Sequence, residues 1–594
     1  MSERAGTTDP EKLKANLEKI EVLTARLSAA LAKRRQENPD LEGPGMDLYV
    51  KAASAYLTDM MTYPEKLIEQ QMHMWRGTLL NLSEAMKGPE QNSAGSDKAP
   101  SSRPDPRFRN PLWQTHPYFN FLKQQYLLSS DTLTKSIEGL SELGEDDQQR
   151  VAFFARQFVD LMSPTNFLAT NPDAIEKALE TNGQSLVEGL ENFVRDVEAN
   201  QGDFSVTLSD PNAFEVGRNI ATTPGEVIYR NRLFELIRYT PTTEQVHAVP
   251  LLIVPPWINK YYILDLAAKN SFIKFAVDQG LSVFVVSWVN PDESYRDVGF
   301  DTYIAEGAIE AIETVKAFTG EKKINAIGYC IGGTLLAATL ALMAKRGDHS
   351  VKTATFFTTL VDFEEPGNLG VFIDDHFISA IDQELAEKGY LSARRMARTF
   401  SFLRANDLVY GPAVRSYLLG EAPPAFDLLY WNSDSTNLPA RMAKEYLDYC
   451  YRENRLVKGT FEVEGEALNL KDIKIPIFAV ATKTDHIAPW KASFSGLRQL
   501  SGKKIFVLAE SGHIAGIINA PAANKYGYWF NNAPADDLDA WLSAALRQDG
   551  SWWPFWGEWI AAESGKKIAA NSLENSEFPA LCPAPGSYVG MRAK

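Results

Sequence analysis

Residues 324–343 read INAIGYCIGGTLLAATLALM, and this stretch decides the fold. An apolar strand-like segment, residues 324–328, meets an apolar helix-like segment, residues 334–344, at the tight sequence Gly-Tyr-Cys-Ile-Gly-Gly. A nucleophile flanked by glycines between a strand and a helix is typical of a nucleophile elbow. The glycines are needed because side chains there would collide with the neighbouring strand and helix. The pattern therefore predicts that Cys330 is a nucleophile at the carboxyl edge of a sheet.

The position of Cys330 also predicts how its reaction is assisted. A helix N-terminus favours a thiolate, because the helix dipole is positive there. The backbone N–H of Ile331 is then the natural donor to a developing oxyanion. A second donor usually comes from the loop after an earlier strand, here residues 255–260, PPWINK. Proline has no N–H, so the expected donor is the N–H of Trp257 or Ile258.

A cysteine nucleophile needs a base and an acid that orients the base. In elbow-containing hydrolases these follow the nucleophile in the order acid, then histidine, on loops after later strands. Asp485 follows the apolar run IPIFAVATKT, and His513 follows the run KIFVLAE, so both the order and the placement fit. His486 is the nearest competitor and is interpreted as a supporting or structural residue. Asp362, after the run TATFFTTLV, is a weaker alternative acid.

The alternation of segments beyond the first 200 residues indicates the fold class. From about 225 to 545, short apolar runs alternate with helical patterns, which predicts a mostly parallel sheet covered by helices. With the elbow, this predicts an α/β-hydrolase fold in a catalytic domain spanning 206–594, with a cap (lid) insertion at about 365–470. Residues 1–205 are expected to form a mostly helical N-terminal domain, with a flexible linker or loop at 86–106.

Three apolar features have two interpretations each. The amphipathic segment 10–36 predicts a helix docked either on its own domain or on a partner or an apolar surface. Phe426, Tyr430 and Trp431 in the predicted cap either line a route to the pocket or pack on the core. The aromatic segment 551–556, SWWPFW, either contacts an apolar product or belongs to the core. Periodicity alone does not separate these alternatives.

Composition narrows the function classes. The chain has 594 residues and a net charge of −16, which argues against sequence-independent nucleic-acid binding. Its three cysteines are too widely spaced for a disulfide framework or a metal site. The N-terminus lacks the apolar core of a signal peptide, and no apolar run reaches the length of a membrane-spanning helix. We therefore expect a protein of the reducing cytoplasm, without a bound metal.

From about residue 107 to the C-terminus, the chain resembles the class I polyhydroxyalkanoate synthases, also called poly(3-hydroxyalkanoate) polymerases. The first 106 residues match that family poorly, and SWVNPD carries Val289 where the family often has arginine. The resemblance rests on many long motifs in a fixed order, namely HPYFNFLKQQYLL, PPWINKYYILDL, SWVNPD, GYCIGG, NDLVYG, FDLLYWNSDSTNLP, DHIAPW, SGHIAGIINAP, GSWWP and PAPGSYV.

The resemblance implies a function and partners. It implies a catalytic triad of Cys330, Asp485 and His513, acting on short-chain (R)-3-hydroxyacyl-CoA substrates such as 3-hydroxybutyryl-CoA. Coenzyme A is then part of the substrate and a leaving group, and no cofactor is expected. The other implied partners are the growing polyester chain, the surface of a cytoplasmic polyester granule and a second copy of the chain. The N-terminal region is a candidate contact for granule-associated proteins.

The expected chemistry is acyl transfer through a thioester on Cys330. His513 takes the thiol proton, and the 3-hydroxyl of a second acyl unit later attacks the acyl-enzyme. The sequence leaves open whether His513 or Asp485 deprotonates that hydroxyl, and whether elongation passes through a noncovalent intermediate. A cysteine-type thioesterase or lactone hydrolase would share this triad, and a granule scaffold without catalysis is a further alternative.

Overall fold

The computed structural model describes residues 10–33, 50, 52–56, 58, 72–82, 105–138, 140, 143–531 and 537–593. The chain forms two compact units, which are described separately. The first comprises Met1–Asp210 and Phe400–Pro424, and the second comprises Pro211–Thr399 and Ala425–Lys594. The predicted linker falls, up to residue 104, outside the described residues. The predicted domain boundaries and the predicted cap stay predictions.

The first unit is helical. Its N-terminal helix packs on helix Gln184–Ala199, where Leu23 is buried against Val187 and Val194. The ion pair Arg26–Glu198 (2.7 Å) borders this contact. The amphipathic segment at the N-terminus is therefore docked within its own unit. Among the described residues, the helices of this unit include Pro10–Leu31, residues 52–56 and 72–82, Leu112–Thr115, Pro117–Glu138, Glu145–Leu161, Pro172–Glu180 and Gln184–Ala199.

Residues 400–424 join the first unit from far along the chain. Helical turns run from Asn406 to Leu418 in this segment and lie against helix Gln184–Ala199. The Tyr417 hydroxyl donates to Asp196 Oδ2 (2.8 Å), and a side chain at Gly189 would meet the Tyr417 carbonyl oxygen at 2.1 Å. The close approach explains a glycine at position 189.

The described part of the second unit contains an eleven-stranded sheet. In chain order its strands are β1 (Gly225–Arg230), β2 (Phe234–Tyr239), β3 (Leu251–Val254), β4 (Val283–Trp288), β5 (Ile324–Tyr329), β6 (Val351–Phe357), β7 (Ile477–Thr482), β8 (Lys504–Ala509), β9 (Gly527–Asn531), β10 (Leu546–Asp549) and β11 (Cys582–Pro583). Their order across the sheet is β10-β9-β8-β7-β6-β5-β3-β4-β2-β1-β11. Strands β3 to β8 pair in parallel, and the outer strands pair antiparallel.

Helices and short strand pairs surround the sheet, as an α/β-hydrolase fold requires. The predicted fold class is confirmed by this sheet and by the helical first unit. The other α-helices of at least six residues in this part of the chain are Phe272–Asp278, Glu310–Thr319, Ile331–Lys345, Asp375–Lys388, Ala393–Leu403, Asp427–Asn432, Ala440–Glu445, Trp490–Arg498, Leu538–Ala544 and Trp553–Glu563, with π-helical turns at Tyr303–Ile309 and Tyr446–Arg452. The short strand pairs are Gln245–His247 with Lys567–Ala569, Tyr390–Leu391 with Leu438–Pro439, and Glu462–Val463 with Glu466–Ala467.

The aromatic segment 551–556 belongs to the core of the second unit. Trp552, Trp553 and Trp556 are each at most 1% exposed. Their indole N–H groups donate to Gly516 O (2.9 Å), Ile517 O (2.8 Å) and Thr355 Oγ1 (3.1 Å) respectively. Core packing, rather than contact with a product, therefore accounts for these three side chains.

The turn between β5 and helix Ile331–Lys345 has no space for larger residues. A Cβ atom at Gly328 would lie 2.4 Å from the Cα of Gly333. A Cβ atom at Gly332 would lie 2.4 Å from Val254 O and 2.7 Å from Pro255 O. Both contacts are with backbone atoms, which cannot rotate away. The glycines therefore let the helix start directly against the end of β3.

We expect Gly332→Ala to destabilise the protein by about 1–3 kcal/mol, because the methyl group overpacks a rigid backbone contact. Urea unfolding of the second unit, followed by tryptophan fluorescence, measures this change. Gly557→Ala is the matched control: a Cβ there meets only ordinary contacts with Phe275 and Gln279, the nearest at 3.5 Å, and alanine favours helix. Equal stability of the two variants would contradict the packing argument.

Candidate active site

Cys330 lies at the bend between β5 and the helix that begins at Ile331. Its backbone has φ 53° and ψ −124°, an uncommon conformation for a residue other than glycine. Its N–H donates to Phe357 O on the neighbouring strand (2.9 Å), which holds the bend in place. The Ile331 N–H begins the helix and so has no acceptor within it. The thiol is free and half-buried.

Asp485 lies in the loop after β7, and its carboxylate is fully engaged. Oδ1 accepts from the backbone N–H groups of Ile487 and Ala488, both at 2.9 Å. Oδ2 accepts from the Thr482 hydroxyl (3.3 Å) and pairs with His513 Nδ1 (2.7 Å). The side chain has no exposed surface. These bonds fix both the position of the carboxylate and the ring that it contacts.

His513 lies in the loop after β8, with its side chain 7% exposed. The ring of Tyr329, the residue before Cys330, stacks on the imidazole at 6.1 Å. The Tyr329 hydroxyl also donates to His513 O (3.5 Å). Trp552 and Trp553 hold the carbonyl groups of Gly516 and Ile517 in the same loop. The histidine is therefore fixed by its own ring contacts and by the core helix beneath it.

The charge on His513 follows from its neighbours. Burial disfavours an imidazolium, but the Asp485 carboxylate, the Cys330 sulfur and hydrogen bonds to both outweigh burial and raise the pKa of His513 to about 10. The structure therefore pairs His513 Nδ1 with Asp485 Oδ2 (2.7 Å), and the Cys330 sulfur acts electrostatically on the same ring. The ring therefore holds its proton near neutral pH.

The two competing residues of the sequence analysis have other contacts. Asp362 accepts from Asn454 Nδ2 (2.8 Å) and from the Ser495 hydroxyl (3.1 Å), so its carboxylate tethers a loop. The carbonyl of His486 accepts from the Asn368 N–H (2.8 Å). The ring that pairs with Asp485 is that of His513.

The loop of residues 255–260, called the oxyanion loop below, begins against the elbow. The 2.4 Å approach of a Cβ at Gly332 to Val254 O places the end of β3 beside the first turn of the helix. Trp257 is 1% exposed, and its ring packs on Tyr303 with centroids 4.7 Å apart. The backbone N–H groups of Trp257 and Ile258 are thus in a loop that borders the bend, and which of them is the second donor stays a prediction.

Sequence reasoning missed two tyrosines that interact electrostatically with the Cys330 sulfur. Tyr446 and Tyr451 lie on the π-helical turn Tyr446–Arg452, with ring centroids 5.3 Å apart. Burial, their mutual contact and the charges of Cys330 and Cys450 raise the pKa of Tyr446. No sequence signal marks them, because they reach the site from a segment more than a hundred residues beyond Cys330.

We expect the His513 imidazole to titrate near pH 10 and to titrate at lower pH in Cys330→Ala, which lacks one of the raising charges. The pKa of His513 in the folded protein lies above its ordinary value of 6.5, so the protonated ring stabilises the folded state. This contribution to the free energy of unfolding is complete below about pH 6.5 and is lost as the pH rises through about 10. NMR of ¹⁵N-histidine-labelled protein measures the titration, with exposed His116 as the reference signal. A His513 ring that is neutral at pH 8 would contradict this electrostatic description.

The described residues contain no helix long and apolar enough to cross a membrane. Within the same ranges, no cluster of His, Cys, Asp or Glu side chains could hold a metal ion.

Two family models match the chain. Residues 104–276 match the model described as the N-terminus of poly-beta-hydroxybutyrate polymerase (PhaC), and residues 250–520 match the alpha/beta hydrolase fold. Among solved structures, a monoacylglycerol lipase from Paleococcus ferrophilus aligns with 54% of this chain and 97% of its own, at 14% identity and a TM-score of 0.28.

Curated relatives are similar over nearly the whole chain. The Rhizobium meliloti "Poly(3-hydroxyalkanoate) polymerase subunit PhaC" is 41% identical, covering 98% of this chain and 96% of its own. The Methylorubrum extorquens "Poly(3-hydroxyalkanoate) polymerase" is 42% identical over 91% and 89%. The Cupriavidus necator PhaC subunit is 41% identical over 93% and 91%. The chain therefore belongs to the poly(3-hydroxyalkanoate) polymerase family, acyltransferases with an α/β-hydrolase fold.

Proposed function

We propose that this chain polymerises (R)-3-hydroxyacyl-CoA into polyhydroxyalkanoate and releases coenzyme A, through a covalent thioester on Cys330. The observation that carries the proposal is the Asp485–His513 hydrogen bond (2.7 Å), with the His513 ring electrostatically coupled to Cys330 at the elbow of a polymerase-family protein. The proposal includes no cofactor, since the thioester substrate already carries an activated acyl group.

The first step is an exchange of thioesters. The Cys330 thiolate attacks the acyl carbonyl carbon, and the N–H groups of Ile331 and of Trp257 or Ile258 donate to the oxyanion that forms. The bond between the acyl carbon and the CoA sulfur breaks as the tetrahedral intermediate collapses. His513 gives its proton to the departing CoA thiolate and is left neutral. Because one thioester replaces another, the acyl group stays activated.

The second step is ester formation. The 3-hydroxyl of another acyl unit, or of the chain end, attacks the acyl carbon of the acyl-enzyme and loses its proton to a base. The bond between that carbon and Cys330 Sγ breaks, which regenerates the cysteine thiolate and leaves an oxoester. His513 is the better candidate, because its ring is neutral once CoA has left. Asp485 is less suited to act directly, because both its oxygens already accept hydrogen bonds. The carboxylate instead holds the imidazole in the required tautomer and stabilises its charged form.

Burial of the site supports transfer over hydrolysis. Water competes with the 3-hydroxyl for the acyl-enzyme, and a dry pocket disfavours water. The Asp485 side chain has no exposed surface, and that of His513 is 7% exposed. The proposal further includes short acyl chains, an active homodimer, and work at the surface of a polyester granule in the cytoplasm. In that arrangement the protein has two further partners. One is the growing polyester chain, and the other is the set of granule-associated proteins, which the N-terminal region contacts.

The acceptor distinguishes this proposal from a hydrolase. We expect (R)-3-hydroxybutyryl-CoA to yield free CoA together with turbidity from insoluble polymer, and Cys330→Ala to yield neither. Thiol release is followed with a chromogenic disulfide and turbidity by light scattering. CoA release accompanied only by soluble hydroxy acid would identify a thioesterase or lactone hydrolase instead. The rates of CoA release from longer acyl-CoAs test the preference for short acyl chains. The molar mass measured by light scattering during size-exclusion chromatography tests whether the protein is a dimer.

The orienting role of Asp485 predicts a large kinetic effect. We expect Asp485→Asn to lower kcat by about 10²–10⁴-fold, because the amide no longer favours the charged ring or its tautomer. Steady-state CoA release measures the loss. Asp362→Asn is the matched control, because Asp362 is also a carboxylate that follows a neighbouring strand, where it accepts hydrogen bonds from Asn454 and Ser495. We expect this control variant to keep kcat within a few-fold of the wild-type value. Equal losses in the two variants would contradict the assigned roles.

A further inference from the structure

The carbonyl groups of the oxyanion loop are held by side chains and backbone from outside the loop. Trp288 Nε1 donates to Pro255 O (2.9 Å) from the end of β4. The remaining bonds come from residues 431–436, called the clamp segment below, about 170 residues further along the chain. In this segment Trp431 Nε1 donates to Lys260 O (2.7 Å). The loop is thus fixed at both of its ends.

Thr436 makes two bonds to the middle of the loop. Its hydroxyl donates to Trp257 O, and its backbone N–H donates to Ile258 O (3.1 Å). Thr436 is 2% exposed, so neither bond competes with water. Asn259 and Ser435 form an isolated antiparallel bridge beside these bonds. The clamp segment therefore pairs with the oxyanion loop as a short strand would.

A buried ion pair fixes the register of this pairing. Lys260 Nζ lies 2.7 Å from Asp434 Oδ1, with side chains 4% and 14% exposed. The Tyr262 hydroxyl donates to the other carboxylate oxygen (2.9 Å). A buried charge is costly without its partner, so a slip of the clamp segment by one residue would separate the pair and is disfavoured.

The orientation of the carbonyl groups sets the direction of the N–H groups. In a trans peptide the C=O and the following N–H point in opposite directions. Because Trp257 O points at Thr436, the N–H of Ile258 points away from the clamp segment. The elbow borders the first residues of this loop, since a Cβ at Gly332 would touch Pro255 O. The bond from the Thr436 hydroxyl thus determines which way the candidate donor faces.

We propose that Thr436 is a positioning residue that directs the Ile258 N–H at the acyl oxyanion, supported by the buried pair Lys260–Asp434. The inference rests on the proposed function, because it needs an acyl transfer through a tetrahedral intermediate. It selects Ile258 over Trp257 as the second donor and explains why a distant segment is tied to the loop.

Two reactions of the same sulfur test the proposal. Acylation of Cys330 by (R)-3-hydroxybutyryl-CoA forms an oxyanion, whereas alkylation by iodoacetamide is a direct displacement at carbon and forms none. We expect Thr436→Val to lower the single-turnover acylation rate about 10²-fold, the low end for loss of one oxyanion donor. The alkylation rate stays within about twofold, because the Cys330–His513 pair is intact. Quenched-flow mass spectrometry of the peptide that carries Cys330 measures both rates.

Matched variants separate positioning from general damage. Thr436→Ser keeps the donating hydroxyl and regains most of the acylation rate. Thr314→Val removes another buried hydroxyl that donates to a backbone carbonyl, that of Glu310, away from the loop, and changes neither rate. Tyr262→Phe weakens the support of Asp434 and gives a smaller loss of acylation with normal alkylation.

The outcomes distinguish failure of the positioning role of Thr436 from failure of the proposed function. Equal loss of acylation and alkylation in Thr436→Val, or unchanged acylation, would overturn the positioning role and leave the proposed function intact. If wild-type Cys330 is alkylated but never acylated by the substrate, the proposed function itself fails, whatever Thr436 does. Selective loss of acylation, restored by serine, supports the inference.

Discussion

The bend at Cys330 is the constraint on which the site depends. A non-glycine residue at φ 53° and ψ −124° is strained by roughly 1–3 kcal/mol, and it persists only where the surroundings impose it. Here β5 and the helix from Ile331 are both buried, and Gly328 and Gly332 allow backbone to touch backbone at the turn. The same close packing places the thiol at the bend and leaves the Ile331 N–H, at the helix start, without an acceptor within the helix. It also brings the end of β3 beside the first turn of that helix.

Hydrogen bonds from tryptophans fix the loops around this bend. The indole N–H is a donor only, on a large rigid side chain that is buried at low conformational cost, so it suits the carbonyl of an irregular loop. The loop of His513 and the oxyanion loop are both held in this way. The acceptors are Gly516 O and Ile517 O for Trp552 and Trp553, and Pro255 O and Lys260 O for Trp288 and Trp431. Aromatic motifs that look like binding surfaces in the sequence thus hold the loops of the candidate site in place.

The three residues of the proposed triad have separate electrostatic environments. Asp485 is saturated with hydrogen bonds, so it remains an acceptor of fixed geometry. His513 holds the mobile proton, because the charges on either side of it outweigh its burial and raise its pKa to about 10. Cys330 sits at a helix start, where the backbone favours negative charge. In the proposed mechanism, the ring becomes a base only after CoA has taken its proton.

The local sequence determined the strand-turn-helix of residues 324–345, the order of Cys330, Asp485 and His513, and the α/β alternation, because glycine spacing and apolar runs are local signals. Only the tertiary structure decided which carboxylate meets His513, since Asp362 and Asp485 both follow strands and differ only in the contacts they reach. It also decided that Thr436, Tyr446 and the Lys260–Asp434 pair lie at the loops of the site. Such contacts join segments more than a hundred residues apart, and they form when sheet order and burial, rather than neighbouring residues, choose the partners.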